Sequence, residues 1–205
     1  MGEFLYRFFC RLLLIYCKLR KVRFEGIENL PREGAVVAIA NHTHWTDPIY
    51  VALAYQKTMK RHIYFMAKEE LFHGRIITYL LRLAGVFPVS RAGNDLKAVK
   101  TALKHLRNGE ILGIFPEGTR YHHADAEPLA DFKQGAVLIA YKGKAPVLPI
   151  GLENAKNLWK LTKPAPIVRV GAPIYFTDTE GKTKQQIMDE YTDICKKNLY
   201  AEMHG

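Results

Sequence analysis

Ala35-Val36-Val37-Ala38-Ile39-Ala40-Asn41-His42-Thr43-His44-Trp45-Thr46-Asp47-Pro48 decides the fold class. The apolar run from Ala35 to Ala40 reads as a buried strand, and the stretch from Thr46 to Thr58 reads as a helix. Between them lies a polar turn that holds His42 and, five positions on, Asp47. An imidazole held by a carboxylate is a general base, and no serine or cysteine nucleophile accompanies this pair. A capping aspartate and a polar histidine at a strand end would leave the same local signature, and His44 competes as the base.

The strand-to-helix alternation continues outward. Short strands are predicted at Ile63 to Ala67, Val86 to Val89, Ile111 to Phe115, Val147 to Ile150 and Ile167 to Val170. Helical spacing marks Ile76 to Leu83, Leu96 to Leu106 before the Asn108-Gly109 stop, Phe132 to Tyr141, and Lys184 to Met203. Pro149 argues against an uninterrupted central ladder at the fourth of these strands. Tyr121 to Pro128 reads as an exposed polar loop. Alternation of this kind predicts an α/β layer with a mainly parallel or mixed central sheet and flanking helices.

Composition narrows the class. The 205 residues are enough for one substantial core, and 48% hydrophobic against 24% charged residues argues against a largely disordered chain. Thirty Lys plus Arg against twenty Asp plus Glu give a net charge of +10. That surface favours anionic partners. Cys10, Cys17 and Cys195 form neither a Cys-x-x-Cys pair nor a zinc set, so no metal is expected.

The N-terminus is greasy and basic together: Phe4, Leu5, Phe8, Phe9, Leu12, Leu13, Leu14 and Ile15 are interrupted by Arg7, Arg11 and Lys18. It is too short and too charged for a membrane span. Six basic residues and one acidic residue in the first 23 suit an amphipathic helix lying on an anionic leaflet. Packing of its apolar side on the domain is the alternative. The basic residues show no stripe interleaved with stacking aromatics, so nucleic acid is not an expected partner.

Three further islands follow, two of which carry polar chemistry. Gly85-Val86-Phe87-Pro88-Val89-Ser90-Arg91 ends in a guanidinium whose donor fork matches phosphate. In Phe115-Pro116-Glu117-Gly118-Thr119-Arg120, Gly118 permits a tight turn, Arg120 suits phosphate, and Glu117 can hold the arginine or a hydroxyl. A backbone N–H near the Glu117-Gly118 turn is a candidate oxyanion donor. Val147-Leu148-Pro149-Ile150 is apolar and reads as core.

These blocks, in this order and with these separations, resemble the glycerolipid acyltransferase family, particularly the bacterial 1-acylglycerol-3-phosphate acyltransferases. The resemblance covers nearly the whole chain. It implies an α/β acyltransferase domain over 31–205, with an N-terminal amphipathic membrane-associated element over 1–30. It carries His42 as general base, Asp47 as its partner, and Lys68, Arg91, Glu117, Gly118, Thr119 and Arg120 as substrate-binding residues, with Lys133 a secondary candidate. Trp45 and Ser90 stand at variable positions of the blocks and bear on pocket shape.

The implied reaction converts lysophosphatidate to phosphatidate with an acyl-CoA or acyl-carrier-protein thioester as donor, and no tightly bound cofactor. The implied place is the cytoplasmic face of the cell membrane, peripheral or monotopic. A lysophospholipid-remodelling acyltransferase and a noncatalytic membrane-binding module are the competing expectations.

Overall fold

A computed structural model describes residues 2–90, 96–120, 129 and 132–205. In chain order the elements are α1 (Gly2–Leu19), β1 (Arg23–Glu25), β2 (Val36–Ala40), α2 (Asp47–Thr58), β3 (Ile63–Lys68), α3 (Arg75–Leu83), β4 (Val86–Val89), α4 (Leu96–Arg107), β5 (Ile111–Ile114), α5 (Gly135–Gly143), β6 (Val147–Glu153), β7 (Ile167–Val170) and α6 (Lys184–His204). The strands form one seven-stranded sheet in the order β1-β7-β6-β2-β5-β3-β4. From β6 to β4 every neighbouring pair is parallel. β7 runs antiparallel to β6, and β1 pairs parallel with β7. The fold is therefore α/β with a mixed sheet.

The unbroken apolar run of β2 is explained by its place. Val36, Ala38 and Ala40 join one core with α1 and α2, while Val37 and Ile39 point into a second core with α4, α5 and α6. A strand covered on both faces has no polar side to show. α2 lies in a similar environment, since seven consecutive residues from Tyr50 to Gln56 are buried.

Three local expectations are revised. β6 runs through Pro149 without a break and lies inside the sheet, between β2 and β7. N–H groups of alternate strand residues point the same way, and Val147 donates to Ile174 on the β7 flank. Pro149 therefore lacks its N–H on that flank, between the isolated Val147–Ile174 bridge and the start of the β7 ladder at Ile150–Val170. The helix expected from Phe132 begins at Gly135 instead, because Lys133 N–H donates to Pro116 O (3.0 Å). β1, in a basic stretch with no strand signal, also joins the sheet edge. The loop expected at Tyr121 to Pro128 lies outside the described residues.

α1 has two apolar sides. Tyr6, Cys10 and Cys17 are buried against the domain, while Phe4, Phe8, Leu12, Ile15 and Leu19 are exposed. At 3.6 residues per turn these sets lie on opposite faces, with Arg7, Arg11 and Lys18 along the seam between them. The exposed face continues onto α3, where Ile76, Ile77 and Leu80 are also uncovered. No described helix is long and apolar enough to cross a membrane.

Candidate active site

β2 and β5 are parallel neighbours in a register that pairs Ile39 with Ile114. The segments leaving their C-terminal ends, His42 to Asp47 and Phe115 to Arg120, thus emerge side by side. Crevices outside such strand ends are the usual ligand sites of open α/β sheets.

Asn41 anchors the first segment. Its side chain donates to Leu152 O (2.9 Å) and accepts from Leu152 N (2.7 Å), which ties the turn to β6. Asp47 then folds back over the turn. Its Oδ2 accepts from Thr43 N (2.6 Å), His44 N (2.7 Å) and His42 Nδ1 (2.9 Å). The carboxylate is fully buried. Such burial is tolerable only because several donors satisfy the charge. Oδ1 is buried without a partner among the described residues.

An acceptor at Nδ1 keeps the neutral ring's proton there and its lone pair on Nε2, the state a general base requires. The His42 ring stacks on Phe115 with centroids 4.2 Å apart, so both edges of its motion are restrained. From the β5 side, buried Glu117 accepts the His42 backbone N–H at Oε1 (3.0 Å). The two carboxylates hold the same histidine, one by its ring and one by its backbone.

His44 is arranged otherwise. Its Nδ1 meets Thr46 Oγ1 (2.8 Å), and that hydroxyl donates to Ala155 O (3.2 Å). Burial pushes the His44 imidazole below its ordinary value; Asp47 pulls it up, and Arg120 and Lys160 push it further down. Asp47's ring contact goes to His42, which separates the two base candidates by geometry.

The remaining candidates sit on the same rim. Gly118 has φ +68, and a Cβ there would lie 3.1 Å from Lys133 Nζ. The lysine side chain therefore crosses close over the turn, and the positive φ is what favours glycine there. Gly118 N–H donates to Phe115 O (3.0 Å), so this N–H is committed within the turn. Thr119 and Arg120 are exposed beside it, and Lys68 is exposed at the C-terminal end of β3. Ser90 follows β4 on the same sheet end; Arg91 lies outside the described residues.

Behind Asp47 an apolar cavity of about 310 Å³ opens between α1, α2 and α3, lined by Phe9, Leu13, Pro48, Ile49, Leu80 and Leu83 among others. Among the described residues no group of three or more His, Cys, Asp or Glu is placed to hold a metal.

Two elements of the site escaped sequence reasoning. Asn41 stands inside the quoted motif but its partner is on β6, 111 positions away. Arg20, at the end of α1, donates to the carbonyls of Asn157 (3.3 Å), Lys160 (2.6 Å) and Lys163 (2.7 Å), holding the loop after β6. A buried arginine in a basic segment carries no local signal of that task.

Fold and site together describe an α/β enzyme whose oriented histidine has exposed cations on the neighbouring turn and an apolar cavity beside the start of α2. Comparison places it further: the Acyltransferase family matches residues 21–153, and the chain belongs to that family. It is 36% identical over 199 residues to the 1-acyl-sn-glycerol-3-phosphate acyltransferase of Bacillus subtilis (strain 168), covering 95% of both chains. The protein of the same name from Streptococcus pneumoniae is 29% identical over 169 residues, 81% of this chain and 60% of that relative. Among solved structures, the 1-acyl-sn-glycerophosphate (LPA) acyltransferase PlsC from Thermotoga maritima superposes with a TM-score of 0.65 at 25% identity, covering 94% of this chain and 80% of that one.

Proposed function

We propose that the chain is a 1-acyl-sn-glycerol-3-phosphate O-acyltransferase, transferring an acyl group from an acyl-CoA or acyl-carrier-protein thioester to the free hydroxyl of lysophosphatidate. The carrying observation is the oriented histidine: Nδ1 is committed to Asp47, and Nε2 is left for a substrate hydroxyl. As His42 Nε2 takes the hydroxyl proton, the oxygen attacks the thioester carbonyl and a tetrahedral oxyanion forms. Collapse breaks the C–S bond, and the departing thiolate receives the proton from His42. The products are phosphatidate and the free thiol carrier. Asp47 stabilises the imidazolium between the two transfers.

The acceptor phosphate faces Arg120, with Arg91, Lys68 and Thr119 as further contacts, and Lys133 secondary. Glu117 and Gly118 shape the turn that presents them. The apolar cavity behind Asp47 suits an acyl chain, since each methylene removed from water contributes about 0.8 kcal/mol. The N-terminal element over 1–30 lays the outer face of α1 on the cytoplasmic leaflet, so that lysophosphatidate enters laterally without a spanning helix.

A donor-by-acceptor assay with product identification tests this reading. Transfer to lysophosphatidate in preference to zwitterionic lysophospholipids is expected; the reverse preference assigns a remodelling role. Liposome binding with no transfer to any acceptor would reject catalysis. Arg120→Ala is expected to raise KM for lysophosphatidate about tenfold or more, with little change for an uncharged acceptor analogue. Equal losses on both acceptors would remove the phosphate contact from Arg120.

A further inference from the structure

A second, larger cavity of about 560 Å³ lies at the other end of the sheet, and its polar lining includes Arg7, Lys60, Arg61, His62 and Arg82 together with the carboxylates of Glu3 and Glu110. Lys60 to His62 lead into β3, and Gly109-Glu110 lead into β5, so the cleft sits at the N-terminal strand ends. The reaction described above uses the C-terminal ends, and none of these cations takes part in it.

The charges in the cleft are unevenly committed. Arg61 is spent on structure, donating to the carbonyls of Pro31, Gly34 and Gly109. Arg7 pairs with Glu3 (2.6 Å), and Glu110 accepts from His105 Nδ1 (2.7 Å). Lys60 and Arg82 are exposed, and among the described residues neither has a carboxylate within ion-pair reach. His62 and Tyr64 line the cleft and belong to a longer ladder of stacked rings, with Tyr6 to His62 at 3.9 Å, His62 to Tyr64 at 4.8 Å and Tyr64 to His105 at 4.1 Å. Two cations without carboxylate partners above stacked rings offer an anion a receptor.

The neighbourhood says which anion. The cleft includes the first turns of α1, where the exposed Phe4 and Phe8 begin the apolar outer face. An occupant that offers a phosphate to Lys60 and Arg82 therefore meets hydrocarbon-seeking surface immediately beside it. We infer that this cleft binds the phosphate of an anionic phospholipid headgroup, as a membrane-docking site separate from the catalytic crevice. The other end of α1 lies against the loop after β6, where Tyr16 donates to Leu158 O (3.1 Å) and Arg20 holds Lys160. One helix thus joins the headgroup cleft to the rim of the active site. Holding a lipid at the cleft fixes how the crevice is turned toward the bilayer. The inference shares with the proposed function the membrane contact of α1, but not its chemistry.

The full-length K60A/R82A double variant tests it, with K97A/K100A as a control that removes the same charge from exposed positions on α4. Vesicles of zwitterionic lipid, with and without phosphatidylglycerol, are the probe. K60A/R82A is expected to lose roughly tenfold or more in affinity for anionic vesicles, at about one factor of five per cation. The control is expected to lose little, and turnover of a water-soluble short-chain lysophosphatidate is expected to be unchanged in both. Equal losses in the two variants would reduce the effect to overall charge and overturn the site. So would an unchanged K60A/R82A.

Two other arms separate the ligand sources. If inorganic phosphate alone displaces the protein from anionic vesicles at concentrations too low for general screening, the ligand is a free phosphate. If the double variant loses binding to an acidic carrier protein while keeping vesicle affinity, the cleft is a protein-docking surface. Either result overturns the lipid assignment. Loss of acyl transfer in His42→Ala with vesicle binding intact would leave this inference standing, so the two readings fail separately.

Discussion

The two ends of β5 handle charge in opposite ways. At the C-terminal end, Asp47 and Glu117 are buried, and both bond to His42. At the N-terminal end, Lys60 and Arg82 are exposed, with no carboxylate partner among the described residues. Buried charges gain definite geometry because leaving one unpaired costs several kcal/mol; exposed ones keep their water and their freedom until a ligand arrives. The first arrangement suits proton transfer, where an error of an ångström is expensive. The second suits recognition of a mobile surface. Substitutions at the two ends should therefore fail differently: at the first in rate, at the second in salt-sensitive affinity.

The largest effect is expected from Asp47→Asn. An amide oxygen at the Oδ2 position can still accept from Thr43, His44 and His42 Nδ1, so the turn and the ring orientation persist. The negative charge that stabilises the His42 imidazolium is lost, however, and the proton transfer loses its electrostatic support. Turnover should fall by about 10³ to 10⁴, with a thermal midpoint close to that of the parent. Steady-state acyl transfer beside a melting curve measures both. Parental turnover in this variant would mean that the buried carboxylate organises the loop and nothing else.

Glu117 sharpens the comparison because it meets His42 at the backbone rather than at the ring. Glu117→Gln keeps an oxygen that can accept the His42 N–H, whereas Glu117→Ala strands that N–H and leaves a hole where the side chain was buried. Glu117→Ala should lose about 10² in turnover and roughly 1–3 kcal/mol in stability. Glu117→Gln should retain most of both. If Gln is as damaging as Ala, the negative charge itself is required, and Glu117 belongs with the acceptor-binding groups rather than with the support of His42.

How much of this was legible in the sequence follows from where each partner lies. His42 and Asp47 are five residues apart on one turn, and Glu117 to Arg120 are contiguous, so local spacing exposed both segments. Their convergence required strand order, which alternation suggests without fixing. Asn41 and Arg20 were silent because their partners lie more than 100 residues away. Pro149 marks a real interruption, but on one flank only: the β2 ladder runs through it, while the β7 ladder starts one residue later. The start of α5 moved to Gly135 because the backbone of Lys133 bonds to the turn at Pro116. The cationic cleft was the least legible: α1, the approach to β3 and the end of α3 each contribute a charge that looks like ordinary solvated surface.

The smallest effect is expected at the floor of that cleft, and it concerns pH. His62 lies between the rings of Tyr6 and Tyr64, and burial pushes its imidazole below the ordinary value, against weaker opposing pulls from the Ala84 backbone, Glu3 and Glu110. A histidine whose pKa is lowered by folding is held neutral in the native state. It contributes stability that is fully present above its ordinary value near 6.5 and is lost as pH falls through the lowered native value. The protein should therefore lose stability on acidification below about pH 6.5. His62→Phe preserves a ring in the stack and removes the titration, so its acid-side loss should be smaller. Some loss should remain, because His44 is shifted in the same direction by its own burial at the other end of the sheet. Denaturant unfolding of both proteins across this pH range measures the difference. An identical pH dependence would show that the stacked imidazole accepts its proton as readily in the fold as outside it, and that the floor of the cleft is more open to water than its ring contacts imply.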